Sequence, residues 1–225
     1  MPNILIIGSS RGIGLELARR YLEDGMQVHA TTRSGEMPEA FTEMGNQPRM
    51  YALDVRKQGQ IDALVESLAH TPIDLLIVSA GIFDREGGQG SNGAAIPEDE
   101  VFAVNSVAPL NVAEAVFPNI QAAARGRMIF ISSASGSRFR GPPRSVYGRS
   151  KAALNDAVRQ FASDWAQAGV IGLALHPGWV ATDMGGAQAQ VTVEDSVEGI
   201  RWIAENMNPE HNGGFYDYQG NNVPW

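Results

Sequence analysis

IIGSSRGIG, residues 6–14, closes an apolar run and opens a stretch of helical period. Glycines at 8, 12 and 14 let the chain turn tightly and let a ligand approach the backbone, while the first N–H groups of a following helix have no partners of their own. A strand ending in such a turn suits an anion such as a pyrophosphate, held at the helix N-terminus. The spacing departs from the commoner GxGxxG, so the turn needs support from the rest of the chain. GSSRG also fits the GxSxG elbow of hydrolases, with Ser10 as nucleophile. That elbow takes an oxyanion donor from an earlier strand-to-helix loop, and here no strand precedes residues 4–7.

Outward from the turn, short apolar runs at 4–7, 28–32, 50–53, 75–78, 128–131, 171–175 and 215–218 alternate with stretches of helical period at 12–22, 61–68, 98–117, 146–166 and 193–205. Runs apolar on both faces and separated by helices predict a doubly wound α/β fold: a mostly parallel seven-stranded sheet with helices on both sides. In the helix over 146–166, Leu154, Val158, Phe161 and Trp165 recur at helical spacing and predict one buried stripe. No repeat and no shift in composition marks a second domain, so residues 1–225 are expected to form one. REGGQGSNGAAIP, residues 85–97, reads as a surface loop before a helix that starts near Pro97 and Glu98.

Composition excludes several functions. With 44% hydrophobic and 19% charged residues the chain is an ordinary globular one, and its net charge of −8 disfavours nonspecific binding to nucleic acid or an anionic membrane. There is no cysteine, which removes disulfides, thiolate catalysis and cysteine metal sites. The histidines at 29, 70, 176 and 211 have no HExxH spacing, so no metal is expected, and His176 reads as a structural residue at a strand end. The apolar run at 4–7 is too short for a signal-peptide core or a membrane span, and a cytoplasmic protein is expected.

At the end of the second apolar run the chain reads HATTR, residues 29–33. A site for NAD usually has an acid here for the ribose hydroxyls, and Thr32 and Arg33 stand in its place. A guanidinium binds a ribose phosphate through two charge-assisted hydrogen bonds, so NADP(H) is the expected dinucleotide, with Arg11 in the turn adding positive charge.

SVYGRSK, residues 145–151, places Tyr147 and Lys151 at i and i+4 on one helix face. In water a tyrosine titrates near ~10 and a lysine near ~10.4, so a phenol there has a use at neutral pH only if its surroundings change it. With Asn105, Ser133, the Ala80–Gly81 pair after the fourth run and the glycine turn, this set resembles the short-chain dehydrogenase/reductase family. The resemblance covers nearly the whole chain. HPGWVATDMGG (176–186) and the tail GGFYDYQGNNVPW (213–225) resemble the branch of carbonyl reductases that includes sniffer and the C-factor-like proteins. The chain departs from the family pattern at Ile7, where many members have Thr, and at SAG (79–81), where many have NAG.

The resemblance implies a Rossmann-type domain that binds NADP(H) and passes hydride between nicotinamide and a small carbonyl or alcohol. It implies Tyr147 as general acid/base, Lys151 lowering the phenol's pKa, Ser133 binding the substrate oxygen in preference to its neighbour Ser132, and Asn105 holding a water that links Lys151 to solvent. Around the cofactor it implies Ser10 and Ile13 in the turn, Asp54 and Val55 after the third run, Ala80 and Gly81, Tyr147 and Lys151 themselves, and Pro177, Gly178, Val180 and Thr182 beside the nicotinamide. Read from the residues alone, Pro177 and Gly178 end a strand in a turn, and Thr182 or Asp183 caps the segment after it. Family members often pair through their long helices, which implies a homodimer.

Between Ser133 and Tyr147, SRFRGPPR (137–144) offers Arg138, Arg140 and Arg144 as attractors for an anionic carbonyl substrate, against the alternative of solvated loop charge. Trp179 and Met184 suggest an apolar wall. Two functions stay open: an NADPH-dependent reductase, and a regulatory or signalling protein that senses NADP(H) with incidental turnover.

Overall fold

Strand β1 (Asn3–Ile7) is an inner strand of the sheet, flanked by β2 (Gln27–Thr32) and β4 (Leu75–Val78), with Leu5 opposite His29 on one side and Leu76 on the other. The computed structural model describes residues 1–83, 96–139 and 141–225. With β3 (Arg49–Ala52), β5 (Arg127–Ile131), β6 (Ile171–His176) and β7 (Phe215–Asp217) the sheet runs β3-β2-β1-β4-β5-β6-β7, every pair parallel. This is the doubly wound sheet that the apolar runs predict, in the Rossmann-type form that the resemblance implies.

Alternation along the strands divides the core into two layers. Leu5, Ile7, Leu76, Val78, Met128 and Phe130 face α2 (Gln58–Leu68), α4 (Ala108–Ala115) and α6 (Val146–Gln167). Ile4, Ile6, Leu75, Ile77, Ile129 and Leu173 face α1 (Gly12–Glu23) and α7 (Val193–Asn206). Each such side chain, fully buried, contributes about 1.5–3 kcal/mol, and a shift of register by one residue would exchange the two layers. Strand order reverses between β1 and β4, so the loops after these strands part and leave a crevice at the carboxyl ends of the strands.

Two expectations need correction. The helix expected over 98–117 runs unbroken to Ala115 but is not α-helical throughout: α3 (Glu98–Phe102) passes through a π-helical turn (Ala103–Val107) into α4, and α5 (Phe117–Gln121) comes after it. Pro109 has no N–H to return to the Asn105 carbonyl, so a regular α-helix cannot pass through this point. Phe161 is 40% exposed rather than part of the buried stripe. The Trp165 indole takes the space instead: it stacks on Phe130 at 5.7 Å between centroids and fills the place that a Cβ on Gly172 would need, while Phe161 stacks over it at 6.2 Å. Of the loop expected over 85–97, residues 84–95 lie outside the described residues, and so does Arg140.

Candidate functional site

The glycine turn is built by close backbone approach. Gly8 has φ +91°, and a Cβ on it would lie 2.8 Å from the Ala80 Cα; one on Gly14 would lie 2.0 Å from the Gly8 carbonyl oxygen. Gly12, at φ +57°, lies under the Thr182 methyl group, 3.3 Å from where its own Cβ would be. Thr31, a polar residue in an apolar strand, secures the turn: its hydroxyl oxygen accepts from Gly8 N–H at 3.0 Å and its carbonyl from Ser9 N–H at 2.8 Å. The Ile7 carbonyl accepts from both Ser79 and Ala80 N–H at 2.9 Å, tying the ends of β1 and β4 together. At the start of α1 no side chain caps the helix and no acid stands in the first turn.

This turn fits a dinucleotide pyrophosphate, because strand end and helix start meet backbone to backbone and no side chain caps the first N–H groups of α1. Ser10 lies exposed on the turn and Ile13 packs on the α1 side of the core. Arg33 is exposed and makes no hydrogen bond or ion pair among the described residues, while the Thr32 hydroxyl donates to the Glu36 carbonyl at 3.1 Å. The Asp54 carboxylate is held by Arg56 at 3.0–3.1 Å, which keeps it below the usual carboxylate range, and Val55 packs on the core.

At the end of β5 and on α6 the polar residues are buried. Ser145 caps α6 by accepting from Gly148 N–H at 3.0 Å, which sets Tyr147 in the first turn and Lys151 one turn later. Lys151 is only 4% exposed; its ammonium donates to the Ile131 carbonyl at 2.8 Å and lies 5.9 Å from the centre of the Tyr147 ring. Burial alone pulls its pKa down to about 8. The fully buried Asn105 accepts from Ile82 N–H and donates to the Ile82 carbonyl, both at 2.8 Å, and donates to Ser150 Oγ at 3.1 Å. A Cβ on Gly81 would lie 3.3 Å from Asn105 Oδ1 and 3.7 Å from Lys151 Nζ, so Gly81, Asn105 and Lys151 converge on one spot.

Ser133 opens a short 3-10 turn and its Oγ accepts from Ser135 N–H at 3.1 Å, which leaves its own O–H free to donate. The turn rests on α6, because a Cβ on Gly136 would strike the Lys151 backbone at 2.8 Å and one on Gly148 the Ser135 carbonyl at 2.7 Å. Buried Ser132 faces α6 instead. After β6, Pro177 is fixed by a 2.7 Å bond from Ser196 Oγ to its carbonyl, Gly178 turns at φ +87°, Val180 bridges to Val191, and Thr182 accepts from Gly185 N–H at 3.2 Å. Asp183 pairs with Arg11 at 3.1 Å, joining this loop to the glycine turn. A cleft of about 60 Å³ lies beneath, lined by Arg11, Gly81, Ile82, Phe83, Ile96, Asp183 and Met184. Phe83 meets the Tyr147 ring edge-on at 4.9 Å. A larger groove of about 300 Å³, between α7 and the tail, contains none of these residues.

The fold thus brings two groups of the sequence-predicted residues together: Gly8, Gly12, Gly14, Ala80 and Thr182 around the turn, and Gly81, Asn105, Tyr147 and Lys151 beside the Ser133 turn; among the described residues no hydrogen bond or ion pair joins Thr32, Arg33, Asp54 or Val55 to either. Arg138 does not serve as a free attractor, since Asp156 on α6 binds it with two contacts of 2.6–2.7 Å. Arg144 is exposed. Trp179 is half-exposed and donates to the Gly185 carbonyl at 2.8 Å. His176 ends β6 opposite Asp217, and burial lowers its pKa. Sequence reading missed Ile82, Phe83 and Ile96, although the first two directly succeed Gly81, and it missed Ser150, the Ile131 carbonyl and Thr31.

Comparisons with known proteins agree with this fold. A family model described as short chain dehydrogenase matches residues 2–192. The C-signal protein of Myxococcus xanthus is 38% identical over 165 residues, which are 72% of this chain and 99% of that one. Among solved structures, the carbonyl reductase Sniffer of D. melanogaster superposes with a TM-score of 0.87 at 28% identity, all of both chains being covered. A carbonyl reductase of Pseudomonas aeruginosa PAO1 in complex with NADP does so with a TM-score of 0.82 at 33% identity, again over all of both chains.

Proposed function

The chain belongs to the short chain dehydrogenase family and is an oxidoreductase, and from that premise we propose that it is an NADP(H)-dependent carbonyl reductase with Tyr147 as its general acid. The observation that carries the reading is Lys151: a lysine buried beside a tyrosine ring, its ammonium on a backbone carbonyl, is costly to keep for structure alone. When bound, the reduced nicotinamide supplies hydride to the carbonyl carbon of the substrate. The glycine turn and the uncapped start of α1 would hold the cofactor's pyrophosphate, Arg33 with the charge of Arg11 its ribose phosphate, and Pro177, Gly178, Val180 and Thr182 its nicotinamide end.

The Ser133 hydroxyl, its lone pair engaged by Ser135 N–H, donates to the carbonyl oxygen and stabilises the charge that develops there. Tyr147 gives that oxygen its proton. Lys151 favours the phenolate that results and, titrating at about 8, exchanges its own proton near neutral pH. Asn105, close to Lys151 across Gly81, would hold the water that returns the proton from solvent. Ile82, Phe83, Ile96 and Met184 offer the substrate an apolar wall.

The test is NADPH absorbance with quinones, aldehydes and diketones. Turnover by the wild type that falls about 10²–10⁴-fold in Tyr147→Phe, with NADPH binding unchanged, is the expected result. Tight NADPH binding with no turnover beyond that of Tyr147→Phe would replace the enzyme by a cofactor sensor.

A further inference from the structure

Three consecutive residues at the end of β5 carry different loads. Ile131 gives its carbonyl to the Lys151 ammonium at 2.8 Å, and Ser133 carries the hydroxyl that would bind the substrate oxygen. Between them Ser132 is 1% exposed; its N–H donates to the Leu175 carbonyl at 2.7 Å and its hydroxyl to Asn155 Oδ1 at 2.5 Å. Asn155 is also 1% exposed and stands one turn beyond Lys151 on α6, so Tyr147, Lys151 and Asn155 form a ladder at i, i+4 and i+8. Successive rungs of this ladder tie successive residues of the strand end: Lys151 to Ile131, Asn155 to Ser132.

The other end of the Asn155 amide has no partner among the described residues. Its Nδ2 is buried without an acceptor, a state that costs about 1–3 kcal/mol and is rare enough in folded proteins to need a reason. With the amide turned over, the contact to Ser132 remains and the oxygen becomes the orphan. Packing would be better served by Leu, of similar volume and without polar atoms, since the neighbouring positions of the core are Leu154 and Val158.

We propose that Asn155 is a positioning residue: by binding the Ser132 hydroxyl it holds the end of β5 against α6, so that the Ile131 carbonyl stays on the Lys151 ammonium and Ser133 stays in register with Tyr147. This rests on the reductase reading for its effect on turnover, but not for its effect on Lys151. The chain has only two lysines, Lys57 and Lys151, so protein grown with ¹³Cε-lysine shows Lys151 as one of two resonances, and its titration is read without cofactor or substrate. Burial is the cause of the Lys151 shift, and among the described residues the titratable group beside it is Tyr147, on its own helix.

The experiment compares the wild type with Ser132→Ala, which removes one oxygen, Asn155→Leu, and the double variant. If the strand end is released, the buried ammonium loses its acceptor and its titration moves to lower pH. In both single variants that move is expected, together with a fall in kcat of about tenfold and a KM for NADPH within about twofold. The double variant should be no worse than the single ones, because both remove the same contact. A Lys151 titration unmoved or raised in both single variants overturns the inference, whatever their melting temperatures. If the wild type reduces no carbonyl, the reductase reading fails, and the lysine titrations still decide the role of Asn155.

Discussion

The turn after β1 and the junction of β5 with α6 both lie at the carboxyl ends of the strands, and they are held by opposite means. At the turn the constraint is missing atoms: Gly8 and Gly14 admit neighbouring backbone to places where a Cβ would lie 2.0–2.8 Å from it, and the helix start is left uncapped. At the junction the constraint is extra polar atoms: Asn105, Ser132, Ser150, Lys151 and Asn155 are all at most 4% exposed, inside a layer of Leu, Val and Phe. A surface that must offer backbone N–H groups to a ligand's phosphates is made by omitting side chains, so that strand end and helix start pack backbone to backbone. One that must handle a proton is made by burying groups that would be more stable in water.

If that contrast is right, filling the turn should be the most damaging change. Gly14→Ala sets a methyl group 2.0 Å from the Gly8 oxygen, and neither backbone segment can yield without opening the β1–β4 junction. We expect a loss of NADPH affinity of at least about 100-fold, equivalent to about 3 kcal/mol, measured by fluorescence titration. Affinity within about tenfold of the wild type would mean that the turn is not built by close approach.

The junction should answer in the opposite direction. Lys151→Met is expected to abolish turnover yet raise stability at pH 7 by about 1–2 kcal/mol, since an apolar side chain of similar length replaces a desolvated charge. The folded chain releases the Lys151 proton at about 8 instead of the ordinary 10.5. Between those values the unfolded state binds more protons, so this group's contribution to stability rises with pH from about 8 toward 10 and its penalty is present in full below 8. Urea melts at pH 7 and pH 9.5 should therefore converge for wild type and variant as pH rises. A variant less stable than the wild type at pH 7 would show that the lysine is a structural asset.

The same contrast explains what could be read from the sequence. Glycines and apolar strands are local features, so the turn, the strands of the sheet and the i, i+4 relation of Tyr147 to Lys151 were legible from spacing alone. The π-helical turn in the helix over 98–117 was also written there, in Pro109, but the apolar period runs on across it. The partners at the junction have no such mark. That Ile131 offers its carbonyl to Lys151, that Ser132 meets Asn155, and that Asp156 engages Arg138 depends on how β5 and its loop lie against α6, a tertiary relation without a fixed spacing. Phe161 was misplaced for a related reason: helical period identifies a face, but the bulk of Trp165 decides which member of it stays inside.

A smaller effect is expected from Arg33, exposed and unpaired among the described residues at the end of β2. Arg33→Ala should raise the KM for NADPH about tenfold or more and leave that for NADH unchanged, since charge-assisted hydrogen bonds contribute about 1.5–3 kcal/mol. Equal losses for both cofactors would remove Arg33 from the ribose phosphate.

The smallest concerns the ion pair that joins the turn to the loop after β6. Arg11 and Asp183 are 61% and 70% exposed, and such a pair contributes no more than about 1 kcal/mol to the fold. For the proposed cofactor, however, Asp183 competes with the ribose phosphate for the Arg11 guanidinium and sets a negative charge at the rim of the crevice. Asp183→Asn should therefore leave the melting temperature in place while tightening NADPH binding about two- to fivefold in low salt, an advantage that fades as ionic strength shortens the screening length to about 3 Å near 1 M. NADH, which lacks that phosphate, should gain less. Were NADPH affinity in low salt unaffected, Arg11 would belong to the loop contact alone, and the turn would bind its ligand through backbone, without help from a side chain.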